Sequence, residues 1–303
     1  MGTAPAQLFP EFLVDTFGLP GVLGEVVASL IGAALVANII LAFSGIAGPW
    51  AKRKITAAFT DRIAVNRIGL RATHYPGGGL QLLAKELIIP EGSTARRGIS
   101  LRSSCRRRRC SGSVIPMGQI GPLNIHLADP EVGLALVFAF ASIASVSLVM
   151  AGYASNNKYS LLGGLRAVAQ NLAYEIPLIV TAMSVVVFAG TLQISGVVGA
   201  QTETLVTIAG FDIPAWFAFV NPFAFVLFLT ANMAEIGRNP FDIPEAPTEI
   251  VGGYQTEYSS AYFVLFYLGE FVHIFLGGAI LSVVFLGGAS GPARRASASS
   301  GSW

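Results

Sequence analysis

Charge is what this chain has least of. Asp, Glu, Lys and Arg make up 12% of its 303 residues, and their balance leaves a net charge of only +2. So small an excess argues against a nucleic-acid partner held by bulk charge. Cysteine is almost absent as well. Cys105 and Cys110 are the only two, with four arginines between them. No second ligand pair accompanies them and the arginines repel a cation, so they make a poor metal site. The first twenty residues lack the basic start and small-residue cleavage site of a signal peptide. The first apolar run is therefore expected to act as its own insertion signal.

What the chain does have is hydrophobicity: 53% of it is apolar, and the mean hydropathy is +0.64. Those values belong to an all-α polytopic membrane protein. A membrane helix needs about 20 mostly apolar residues. Five runs meet that need, at about 22–48, 132–153, 168–190, 214–233 and 261–286, within one membrane domain over residues 1–288. Four are clean; the third carries Glu175 and Pro177 in its first turns.

Basic residues beside helix ends predict orientation. Lys52, Arg53 and Lys54 follow the first run, which puts that end in the cytoplasm and the N-terminus outside. Lys158 and Arg166 assign the connection 154–166 to the same side, and Arg238 does so for the connection 235–258. These assignments require another crossing between the first and second runs. The space for it holds Arg96, Arg97 and Arg106 to Arg109. One arginine at a helix centre costs ~3 kcal/mol on insertion scales, so this stretch does not cross a bilayer. Residues 92–113 therefore read as an aberrant Arg-rich segment, and 289–303 as an aberrant or disordered tail. A shifted reading frame in GC-rich DNA yields such Arg, Ser and Gly runs; Leu70 to Pro76 has the same look. A basic cytoplasmic loop with a different topology is the other reading.

The scarce charge is concentrated. Glu235, Asp242, Glu245, Glu249 and Glu257 fall in one connection between two apolar runs. Ionisable groups at the edge of hydrocarbon are costly and mark function by default. Pro240, Pro244 and Pro247 interrupt any helix through the segment. Irregular backbone at membrane depth is tolerated only where protein or water surrounds it. Crowded carboxylates in low dielectric cannot all ionise, so their proton affinities spread and respond to a nearby change of charge. Glu175, inside an apolar run, adds a further proton-path candidate.

Four blocks carry a family resemblance. The acidic stretch Ala234 to Ser259 is the most specific; Gly152 to Arg166 and Ala169 to Pro177 follow; Lys52 to Gly69 with Leu82 to Glu86 is weaker. The chain resembles the quinone-chamber membrane subunit of respiratory complex I, the NADH-quinone oxidoreductase. It departs from the family pattern at Lys52, where an acid is usual, at Ala64-Val65, where Gly-Pro is usual, and at Pro247, often glutamate. The family has eight helices, against five recognisable here.

The resemblance implies a multi-pass subunit of the inner or plasma membrane that couples quinone reduction to proton transfer. Quinone is then a bound substrate, with no metal, flavin or catalytic residue in this chain. The implied partners are peripheral-arm subunits bearing the terminal iron–sulfur cluster, small membrane subunits, antiporter-like subunits and membrane lipid. Glu175, Glu235, Asp242, Glu245, Glu249 and Glu257 become the coupling acids, with Arg166 and Arg238 as counter-ions. Arg53, Arg62 and Arg67, on a basic and apolar segment suited to the membrane interface, become contacts to the chamber mouth or the arm. Glu270 and His273 share a face of the last helix and read as a structural couple, with a proton-path role the lesser reading. Three alternatives stand beside this: the equivalent subunit of an energy-converting hydrogenase or other-donor dehydrogenase, a frame-damaged inactive copy, or a stand-alone secondary transporter.

Overall fold

The computed structural model describes residues 7–8, 38–40, 48–62, 84–90, 92–93, 119–120, 123–124, 129–202, 204–208, 211–238 and 240–288. Most of the expected first helix, Arg67, the stretches 70–80 and 94–113 with both cysteines, and the tail 289–303 lie outside the described residues.

The protein is an all-α polytopic membrane protein. Its helices are α1 (Gly133–Ala154), α2 (Lys158–Ala189), α3 (Ile194–Ala200), α4 (Phe217–Val220), α5 (Pro222–Ile236), α6 (Pro247–Ile250) and α7 (Ser260–Phe285), preceded by a helical stretch at 48–59. Among the described residues strand is confined to two small ribbons. Gln7–Leu8, Leu123–Asn124 and Gln119–Ile120 form one; Thr204–Ile208 pairs antiparallel with Phe211–Pro214 in the other.

Among the described residues α1, α2 and α7 are long and apolar enough to cross a membrane, and α5 is a shorter apolar helix of 15 residues. Two expected boundaries move. The run placed at 168–190 begins ten residues earlier, at Lys158, because Asn157 caps it: its side chain accepts from the Tyr159 N–H at 2.9 Å. Small and polar residues at 158–167 hide this start from hydropathy, yet the first turns are packed, with Ser160, Gly163 and Gly164 buried. Glu175 is consequently 17 residues into a helix of 32, not one turn in. The run placed at 214–233 is broken at Asn221, whose side chain accepts from the Ala224 N–H at 3.2 Å and starts α5 with Pro222 in its first turn.

The outer faces are apolar. Leu172, Ile176, Val180 and Val187 project from α2, Val187 with 81% of its surface exposed. In water such a face would drive aggregation; in a bilayer it meets lipid or a neighbouring subunit. The dry core lies inside, where Phe228 of α5 and Phe285 of α7 meet with ring centroids 5.2 Å apart, in a cluster that extends to Val185 and Val272. Gln201, after α3, fastens the end of α7. Its amide donates to the carbonyls of Val283 (3.0 Å) and Val284 (3.2 Å) and accepts from the Gly287 N–H at 2.8 Å. Buried backbone groups freed at a helix end need such partners.

The acidic connection is brought onto α2 by two glycines. A Cβ on Gly163 would sit 2.6 Å from the Gly253 Cα, so the backbone of residues 253–255 rests directly on the helix. Gly253 has φ +61°, and a Cβ there would meet the Pro244 carbonyl oxygen at 2.0 Å. Only glycine fits both requirements.

Candidate functional site: a carboxylate cleft

Between α2, α5, α7 and the acidic connection opens a cleft of about 700 Å³. Glu235, Glu245, Tyr254, Glu270 and His273 are its ionisable lining. Each arrives from a different local cause. Glu235 sits in the last turn of α5, which ends at Gly237 in a left-handed C-cap with φ +73°. Glu270 and His273 share a face of α7 one turn apart. Glu245 and Tyr254 are carried in by the glycine stack.

Glu245 is the most tightly held acid. Its Oε1 accepts from the Tyr254 hydroxyl at 3.0 Å and from the Gln255 amide. Burial, then the charges of Glu270 and Asp242, push its carboxyl above the ordinary carboxylate range; the Tyr254 hydrogen bond and Arg238 pull the other way. Tyr254 is pushed well above the ordinary phenol value by burial first and then by Glu245 and Glu270. It therefore serves as a proton donor in a hydrogen bond and not as an anion.

The pairing across the cleft differs from the same-helix couple expected for Glu270 and His273. Glu270 takes Arg238 at 2.8 Å, and the His273 Nε2 faces the Glu235 Oε1 at 3.6 Å. Arg238 also lies over the Phe271 ring, 5.9 Å from its centroid. The partners come from α5 and the residues just after it, which spacing along α7 does not reveal. Tyr254 had no role assigned from sequence. Its position nine residues after Glu245, behind two glycines, is the only signal that links them.

The other expected acids stand apart from the cleft. Glu175 faces α1 and accepts from the Ser142 hydroxyl. Glu249 pairs with Arg166 near the surface. Glu257 accepts from the Asn157 amide at 2.6 Å, at the α1–α2 turn. Asp242 acts on Glu245 through its charge and does not line the cleft. Beside it, the Phe241 carbonyl accepts from the buried Gln170 amide at 2.7 Å, as the Ala234 carbonyl does at 2.6 Å. One glutamine thus ties the end of α5 to the acidic connection.

Arg53 and Arg62 do not line the cleft. Arg53 is exposed on the helical stretch 48–59, and Arg62 follows its end, also exposed. The stretch begins against α7, where a Cβ on Gly48 would lie 2.6 Å from the Phe271 ring. Residues 85–88 dock at the start of α7: Ser260 donates to the Lys85 carbonyl at 2.8 Å and the Ile88 N–H donates to Ser259 at 3.1 Å.

A cleft holding several carboxylates among membrane helices narrows the chemistry to ion or proton handling. The family model described as NADH dehydrogenase matches residues 31–302. The chain belongs to the NADH dehydrogenase family. It is a membrane-embedded component of a multi-subunit, complex I-type NADH dehydrogenase, and the cleft lies within the matched span.

Proposed function

We propose that this chain is the quinone-chamber member of that complex, forming the chamber with the peripheral arm and coupling quinone reduction to proton transfer. The observation that supports this reading is the convergence of Glu235, Glu245 and Glu270 on one open cleft at the membrane-helix bundle. The overall redox step is NADH, a proton and quinone giving NAD⁺ and quinol. Electrons reach the quinone from an iron–sulfur cluster held by a neighbouring protein of the arm. Reduction places transient negative charge beside the chamber and takes up two protons.

Glu245 suits the first response to that charge. Its raised proton affinity lets it hold a proton that a carboxylate in water would have lost. A change in nearby charge shifts that affinity and moves the proton. Asp242 tunes it through its charge, Glu249 and Glu257 stand farther out, and Arg166 and Arg238 fix two acids as counter-ions. Glu175 extends the acidic path toward α1, the side on which antiporter-like subunits would receive protons. The helical stretch 48–59, with Ile55 and Phe59 exposed, supplies an apolar approach for an isoprenoid tail, and Arg53 and Arg62 the polar rim.

A photoreactive quinone carried into the intact membrane complex tests the chamber. Labelling on residues 48–62 or on the acidic connection 238–258, displaced by excess unmodified quinone, is the expected result. Labelling confined to other subunits contradicts it.

A further inference from the structure

A second, smaller cavity lies toward the apolar core of the bundle. Its walls are apolar, with Phe138, Leu178 and Phe228 among them, except for Asn232, Glu235 and His273. Glu235 and His273 also line the outer cleft, so this pair stands at the junction of the two spaces.

Asn232 is the independent pointer to an occupant. It sits one turn before Glu235 on α5 and is 7% exposed. Among the described residues its side-chain amide makes no hydrogen bond. The bundle makes room for it: a Cβ on Gly277 would lie 2.5 Å from the Asn232 Oδ1. Gly277 follows His273 by one turn of α7, so the space opens on the histidine's own face. A water in this cavity would meet the Asn232 amide, Glu235 and His273, the two to four polar partners a buried water needs.

We propose that His273 is the proton gate between the two spaces, passing protons from Glu235 at the outer cleft to a water held by Asn232 in the second cavity. This rests on the reading of the cleft as a coupling chamber. The Nε2 of neutral His273 takes the proton of the Glu235 acid, leaving carboxylate and imidazolium. The imidazolium then releases the proton on Nδ1 to the water, and a ring turn restores the starting tautomer. Imidazole suits the task because its ordinary proton affinity lies near neutrality and it has two nitrogens. Among the described residues, the charged and titratable groups that share its cleft are Glu235 from α5, Glu270 from its own helix with Arg238 paired to it, and Glu245 with Tyr254 from the acidic connection. The residues that α1 and α2 contribute to the two spaces are uncharged.

The test uses the whole complex in sealed vesicles, with NADH-driven quinone reduction and proton uptake read together across pH. His273→Ala is expected to lower proton uptake per turnover about tenfold, within the range of a lost acid–base group, and added imidazole to restore much of it. His273→Asn, which keeps a polar group of similar size, is expected to lose the limb of the pH profile due to the histidine, and imidazole should not rescue it. Asn232→Leu should slow proton uptake without imidazole rescue. A His273→Ala loss that imidazole cannot restore, or a wild-type pH profile in His273→Asn, overturns the proposal. Glu245→Gln in the same vesicles separates the two readings. If it abolishes coupling while His273→Asn is unchanged, the gate alone fails; if coupling survives it, the chamber reading fails.

Discussion

The two ends of α5 and α7 make opposite use of the same helices. At one end Phe225 and Phe228 pack on Phe285 in a dry core. A polar group admitted there, Gln201, has its amide bonded to four backbone groups. At the other end, two turns along α5, the same helices hold Glu235, Glu270 and His273 around an open cleft, and Asn232 without a partner among the described residues. Burial of apolar surface pins the first end and contributes about 1.5–3 kcal/mol per large side chain. The second end carries ionisable groups whose cost the first end offsets. Chemistry is placed where the packing is loosest, on helices whose far ends keep them in position.

Substitutions can break this contrast from either side. The largest effect is expected from Gly253→Val, which drives a side chain into the Pro244 carbonyl at a positive φ and lifts Glu245 and Tyr254 from the cleft. Coupled turnover of the assembled complex should fall about a hundredfold, as a misplacement of ~1 Å does elsewhere. Next comes Phe285→Ala at the dry end, away from both spaces. It should cost ~3–5 kcal/mol, read as a lower unfolding temperature, while complexes that remain folded keep their turnover.

Glu245→Gln should have a smaller, pH-dependent effect on stability. A carboxyl whose proton affinity is raised by folding favours the folded state when protonated, and that contribution is lost as pH rises through its folded value. The glutamine variant should match the parent at acidic pH and unfold at a higher temperature at neutral pH. Thermal scans at the two pH values check this; a glutamine variant less stable at neutral than at acidic pH, relative to the parent, contradicts it. The smallest effect is expected from Arg166→Gln. The Arg166–Glu249 pair is largely open to solvent, so the loss should stay below ~1 kcal/mol.

Much of the fold was legible because lipid leaves few choices: α1 and α7 lie within a residue or two of their apolar runs. The start of α2 was not legible. Its first ten residues are helical because they pack against Gly152 and the acidic connection, which no window of hydropathy records. The acidic segment announced itself by charge and proline, and Glu235 and Glu245 do line the cleft. Glu249 and Glu257 carry the same charge in the same connection yet turn to Arg166 and Asn157. What separates the two pairs is which way a turn built on Gly253 faces. His273 and Glu270 were visible as neighbours on α7, but their partners on α5 and at Arg238 are tertiary facts.

The most direct test of the central claim is the joint measurement of NADH-driven quinone reduction and proton uptake in vesicles carrying the complex with Glu245→Gln. The account predicts that proton uptake falls about tenfold or more, with electron flow falling alongside it because the two are coupled through the cleft. Electron flow and proton uptake both at the parent's rates would contradict it.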